Sequence, residues 1–170
     1  MKAEIILCVD DDRTVLTALR DLLSRALGKS VLIEIVCSGI EALEFQQEVR
    51  SNGEEIALVI SDYIMPRMNG DELLVQLHKL TPRTVKVMLT GQSDMAGVKR
   101  AINEAALYRF LEKPFNNADL VLTARSALDA YAQTLAMQAQ KLELQQVKAH
   151  LQSLLAEFGG HLAQPSRNKQ

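Results

Sequence analysis

Tryptophan is absent from the 170-residue chain, and aromatic residues make up only 4% of it. A surface that stacks nucleic-acid bases on aromatic rings has little to build on. Charge of one sign is lacking too: 19 Lys and Arg stand against 21 Asp and Glu, a net charge of −2. That excludes a broadly basic nucleic-acid coat and, equally, a strongly acidic disordered chain. The clearest apolar run near the start, Ile5 to Val9, is far short of the roughly 20 residues of a membrane-crossing helix. No apolar segment of signal-peptide length follows the opening residues. The expectation is a cytoplasmic protein that meets neither membrane nor, directly, nucleic acid. Cysteine is confined to Cys8 and Cys37, both in apolar runs and with no Cys-x-x-Cys. They read as reduced core thiols, not as a disulfide. His78, His150 and His161 are scattered; they read as surface residues and make no zinc cluster.

What is present is ordinary for a globular chain, with 48% apolar and 24% charged residues. The length suits one domain plus a remainder. Over the first two-thirds, two hydrophobic periods alternate. Short runs rich in Val, Ile and Leu stand at Ile5–Val9, Val31–Val36, Ala57–Ile60, Val85–Leu89 and Tyr108–Leu111. Such runs suit strands buried on both faces of a parallel sheet. Between them, apolar residues recur at helical spacing: Val15, Leu19, Leu22, Leu23 and Ala26; Leu73, Leu74, Leu77 and Leu80; Met95, Val98, Ile102 and Ala105. Ile40 to Val49 is a weaker amphipathic helix. Strand and helix alternate five times, the pattern of a doubly wound α/β domain.

The last helical segment does not stop where a fifth helix should. From Asn117 to Phe158 there is no Gly and no Pro. A helix of that length reaches about 60 Å, more than the domain can use. Leu120, Val121, Ala124 and Leu128 suit packing on the sheet. Leu144, Val147, Leu151, Leu154 and Phe158 alternate at three and four, as a coiled-coil seam does. Leu128, Leu135 and Leu142 repeat every seven residues in another register, which resembles a stutter. The expected role is self-association or partner binding, a homodimer through this helix; the alternative is a lone helix folded back on its domain. Gly159-Gly160 should end the helix. The expected division is an α/β domain over 1–131, an extended helix or coiled coil over 132–158 and a disordered tail over 159–170.

In a doubly wound sheet, ligands sit at the carboxyl ends of the strands. Asp10, Asp11 and Asp12 follow the first run, Ser61-Asp62 the third, Thr90-Gly91 the fourth and Lys113-Pro114-Phe115 the fifth. Converging carboxylates call for a cation among them, and hard oxygen ligands suit Mg²⁺. A Lys and a hydroxyl supply donors to phosphoryl oxygens. An Asp there can be a nucleophile that takes phosphate as an acyl phosphate. Each piece alone is weak, and Asp12 before Arg13-Thr14 reads as a helix cap. All four in order are far more specific.

These stretches, ILCVDDDRTVL, VISDYIMPRMNGDELL, VKVMLTG and FLEKPF, resemble the receiver domain of two-component response regulators over about residues 3 to 131. The resemblance implies a flavodoxin-like sheet of five parallel strands in order 2-1-3-4-5. It implies that Asp62 is the phosphoacceptor, charged by a histidine kinase or phosphotransfer protein. It implies that Asp10, Asp11, Asp62 and the backbone carbonyl of Ile64 hold Mg²⁺ or Mn²⁺. By the same resemblance, Thr90 is expected to be the hydroxyl that turns to the phosphoryl group, and Lys113 the lysine that pairs with it. Pro114 follows in a cis bond. Pro66 and Gly70 shape the loop after the acceptor by fixed and permissive φ. The resemblance further implies that Thr90 and Phe110 form the switch, Phe110 keeping an aromatic without a hydroxyl. Ile64 and Gln92 occupy positions that tune water attack; apolar Ile64 implies slow self-dephosphorylation. The output is expected through the fourth helix, fifth strand and fifth helix, and through the coil, with no dedicated enzymatic activity beyond phosphoryl transfer to and from the chain itself.

Two other readings compete. Asp10-x-Asp12-x-Thr14, with Thr90 and Lys113, fits the motifs of haloacid-dehalogenase-type phosphatases. Their closing acidic pair would have to be Asp119 and Asp129, both on a helix, and Asp62 would be left unexplained. Alternatively, the chain is a fragment of a larger regulator lacking its effector domain.

Overall fold

The computed structural model describes residues 3–91 and 93–162, with the side chains of 160–162 excepted. Five strands, β1 (Glu4–Val9), β2 (Val31–Val36), β3 (Ile56–Asp62), β4 (Val85–Thr90) and β5 (Arg109–Glu112), alternate with five helices. The helices are α1 (Arg13–Leu27), α2 (Gly39–Ser51), α3 (Gly70–Leu80), α4 (Met95–Ala105) and α5 (Asn117–Leu162). The strands form one parallel sheet in the order β2-β1-β3-β4-β5. The backbone groups into two compact units, one ending at Ala132 and the next beginning at Gln133.

Alternation along the strands sends side chains to two cores. Ile6, Cys8, Leu58, Ile60, Val87 and Leu89 meet Leu16, Leu19 and Leu23 of α1 and Leu120, Ala124 and Leu128 of α5. Leu7, Val9, Val59 and Met88 meet Ala42 and Val49 of α2, Leu73, Leu74 and Leu77 of α3, and Val98 and Ala101 of α4. Each fully buried Leu or Ile contributes roughly 1.5–3 kcal/mol.

Burial on both faces holds for β1, β3 and β4 but fails at the sheet edges. In β5 only Leu111 is buried, and in β2 only Ile33. An edge strand has one neighbour, so its outward residues meet solvent. The fifth strand also begins one residue later than expected: Tyr108 lies before it, its N–H bonded to Lys86 O at 2.9 Å. The expected stop at Gly159-Gly160 is overturned, because α5 runs to Leu162. Helical Gly costs only about 1 kcal/mol against Ala, and Gly159 is not among the residues with positive φ. The expected disorder of residues 163–170 falls outside the described residues. Cys8 is buried and Cys37 half-buried; both are free thiols. His78 is not a plain surface residue, since its Nδ1 lies 2.9 Å from the Nζ of buried Lys86.

Candidate functional site

Parallel register brings the strand ends together. Val9 lies beside Ser61, Asp62 beside Leu89 and Thr90 beside Glu112. The backbone is locked there: Tyr63 N–H donates to Leu89 O at 2.9 Å and Lys113 N–H to Thr90 O at 2.7 Å. The residues that follow β1, end β3, end β4 and follow β5 thus share one end of the sheet.

Lys113 Nζ lies 2.8 Å from Asp62 Oδ1 and 3.7 Å from Asp10 Oδ2. The Lys113–Pro114 bond is cis. Burial alone would lower the Lys113 pKa, but its hydrogen bond and attraction to Asp62, with Asp10 adding, outweigh that and hold it above the ordinary range. Asp10 accepts the Asp12 N–H at 2.8 Å through Oδ1. Burial pushes the Asp10 carboxyl up; the Asp12 N–H and Lys113 pull against this, and Asp62 and Asp11 reinforce it. Oxygens of Asp10, Asp11 and Asp62 all lie within 4.8 Å of one another. Asp10 Oδ2 is buried and accepts no hydrogen bond. Three carboxylates so close, one with a buried oxygen that meets only the Lys113 ammonium at 3.7 Å, are costly with that single positive charge among them. An all-oxygen donor set is the kind that Mg²⁺ takes, so these residues fit that ion.

Other expected residues are placed as follows. Thr90 is buried at the end of β4. Ile64 is exposed, so its apolar side chain offers nothing to orient water. Phe110 is 37% exposed on β5, an outward setting. Asp12 caps α1, accepting the Thr14 N–H at 2.8 Å. Gln92 lies outside the described residues. Leu144, Val147, Leu151 and Phe158 are exposed on α5 and Leu154 is half-buried.

Gly70 corrects an expectation. Its φ is not positive; among the described residues that conformation in this loop belongs to Arg67, φ 68°. Gly70 is needed for closeness instead. A Cβ there would stand 2.2 Å from Asp62 O, while its N–H donates to Tyr63 O at 2.7 Å. The backbone of α3 is thereby held against the Asp62 peptide.

Sequence reasoning missed several supports. The Tyr63 ring fills a notch on α4 where a Cβ at Gly97 would come within 2.0 Å of Cε2. Asp94 accepts the Gly91 N–H at 2.6 Å and closes the turn after β4; it looks like a cap for α4 but makes no side-chain cap bond. Asp71 of α3, nearly buried, pairs with Arg100 of α4 at 3.3 Å. An Asp three residues past Gly91 was the one available signal.

Residues 6–125 match the family described as Response regulator receiver domain. The chain is 32% identical over 127 residues to the sensor kinase CckA of Brucella abortus, covering 75% of this chain and 13% of that protein. It spans 13% of the length of CckA and 52% of that of the response regulator TodT of Pseudomonas putida, to which it is 33% identical over 75% of this chain. Among solved structures, the receiver domain of an HD domain-containing protein from Pseudomonas fluorescens Pf-5 superposes with a TM-score of 0.70 at 31% identity, covering 80% of this chain and 94% of that one.

Proposed function

The chain belongs to the response regulator receiver domain family, and on that footing we propose that Asp62 accepts a phosphoryl group from the phosphohistidine of a histidine kinase or phosphotransfer protein. The observation that carries this is the Asp62 carboxylate at the end of β3, held by Lys113 at 2.8 Å with Asp10 and Asp11 alongside. An Asp62 oxygen forms the bond to phosphorus while the bond to the histidine nitrogen breaks, and that nitrogen leaves with the electron pair. Asp10, Asp11, Asp62 and the Ile64 carbonyl would hold Mg²⁺, which when bound neutralises oxygens of the phosphoryl group. Lys113 keeps one Asp62 oxygen paired and oriented before transfer. Thr90 supplies a hydroxyl at the end of the neighbouring strand for the new phosphoryl oxygens.

The output reading follows from exposure. Met95 and Ile102 of α4 and Phe110 of β5 are exposed apolar side chains, and such residues suit a surface that docks partners. A shift of Thr90 towards the phosphoryl group would free space for Phe110 to turn inward and remodel that face. The apolar seam of α5 serves a homodimer. The phosphatase reading is disfavoured by Asp12, which its first motif needs in the site and which here caps α1.

The test uses the whole chain, Mg²⁺ and phosphoramidate, a small donor with a phosphorus–nitrogen bond, followed by intact mass and peptide mapping. A gain of one phosphoryl group on Asp62, absent in Asp62→Asn, is the expected result. A phosphoryl group on Asp10 would favour the phosphatase reading instead.

A further inference from the structure

The stretch of α5 beyond Ala132 carries a row of apolar side chains in solvent: Leu144 is 69% exposed, and Val147, Leu151 and Phe158 are exposed as well. We propose that a second copy of this chain covers the row, with the two helices parallel and in register. The proposal rests on the homodimer reading above and adds its orientation. Numbering the heptad from Leu144 as a puts Met137, Leu144, Leu151 and Phe158 at a, and Gln140, Val147 and Leu154 at d. Over 137–151 the seam at a and d is two residues wide per heptad, the width of a two-stranded coil, with Leu155 widening it at the end and Leu142 at f lying outside it.

Charge at the flanks decides direction. Glu143 and Glu157 fall at g, with His150 between them; Lys141 and Lys148 fall at e, followed by Leu155. In a parallel pair, each g residue faces the e residue five further along the other helix. Glu143 then faces Lys148 of the partner subunit, and symmetry makes the pair twice. In an antiparallel pair, e faces e and g faces g, so lysines meet lysines and glutamates meet glutamates or His150. Gln140 points the same way. In parallel register the two Gln140 amides face each other and can exchange hydrogen bonds. An antiparallel overlap of the same seam sets the amide against Leu or Phe, leaving a polar group unmatched.

Cross-linking reads the orientation. Leu144→Cys and Phe158→Cys are made separately in a Cys37→Ser chain; Cys8 is buried in the sheet and stays out of reach. The two positions are about 21 Å apart along a helix. A disulfide needs Cα atoms within about 7 Å. A parallel pair therefore cross-links at both positions. An antiparallel pair that joins at one holds the other copies about 42 Å apart. Both cross-links in a particle of two-chain mass are the expected result. Cross-linking at one position or neither, with two-chain mass, overturns the orientation and leaves the homodimer standing. Single-chain mass for the unmodified protein ends the homodimer reading itself, and a larger particle overturns the two-stranded coil. Glu143→Lys should raise the dimer dissociation constant roughly tenfold, and Glu143→Lys with Lys148→Glu should restore it to within about twofold. An unchanged constant in Glu143→Lys removes the charge argument.

Discussion

Lys86 is a lysine in the middle of a buried strand. It is only 1% exposed, and its Nζ reaches Thr84 O at 2.6 Å, His78 Nδ1 at 2.9 Å and Pro82 O at 3.2 Å. No carboxylate is among these partners. Burial lowers its pKa to about 8, whereas the unfolded chain holds the proton to about 10.4. Between those values the unfolded state binds more protons, so stability rises with pH. Cys8 opposes this, because burial pushes its thiol up to about 12 and the unfolded chain gives up that proton first. In a Cys8→Ala background the thermal midpoint should therefore rise from pH 8 to pH 9.5, and Lys86→Met should flatten that rise. His78, lowered by burial and by the Lys86 charge, has the same sign at lower pH, losing stability as pH falls below its unfolded value. Ile64, 63% exposed, offers no group that holds a water near Asp62. The acyl phosphate should persist well beyond seconds, and Ile64→Asn should shorten its lifetime roughly threefold or more, followed by intact mass. At this scale the sequence was uneven as a guide. Asp10, Asp62, Thr90 and Lys113 stand at the ends of apolar runs and could be read directly. Lys86 sits inside such a run, and nothing in one strand's pattern shows that α3 supplies His78 against it.

Elements were legible where period and punctuation agree. Asp12, read as a cap, accepts the backbone bond of one before α1, and Ser38, which was not singled out, does the same before α2. The edge character of β5 was signalled only by its charged ends, Arg109 and Glu112; the apolar pair between them looks the same whether or not a neighbour covers it. The end of α5 misled because Gly weakens a helix without forbidding it. The contact of Tyr63 with α4 needed the fold, since the two residues are far apart in sequence. It makes a sharp prediction. Gly97→Ala in a helix should gain up to about 1 kcal/mol by propensity. Here the new methyl would strike the Tyr63 ring, so the variant should lose stability in the natural chain. In a Tyr63→Ala background the same change should stabilise, a non-additivity that denaturant unfolding measures. Gly70→Ala should destabilise more, because its Cβ would meet the Asp62 backbone and not a movable ring.

At the scale of the molecule, alternation of strand and helix was enough to read a doubly wound parallel sheet, the family resemblance supplied the order of its strands, and strand ends were enough to gather the site. What stayed hidden was whatever depends on a surface meeting something else. The apolar seam could be read from spacing, but not what lies against it. Asp10, Asp11 and Asp62 against Lys113 leave the site with two negative charges, and the chain's net charge is −2. The remaining 18 basic and 18 acidic residues cancel (19 − 1 and 21 − 3). A divalent cation in the site would therefore bring the chain to formal neutrality. A phosphoryl group on Asp62 replaces one negative charge with about two, for a sum of about −1. Native electrophoresis should resolve the three states as distinct mobilities: the bare chain fastest towards the anode, the phosphorylated chain with its cation slower, and the cation-loaded chain nearly stationary.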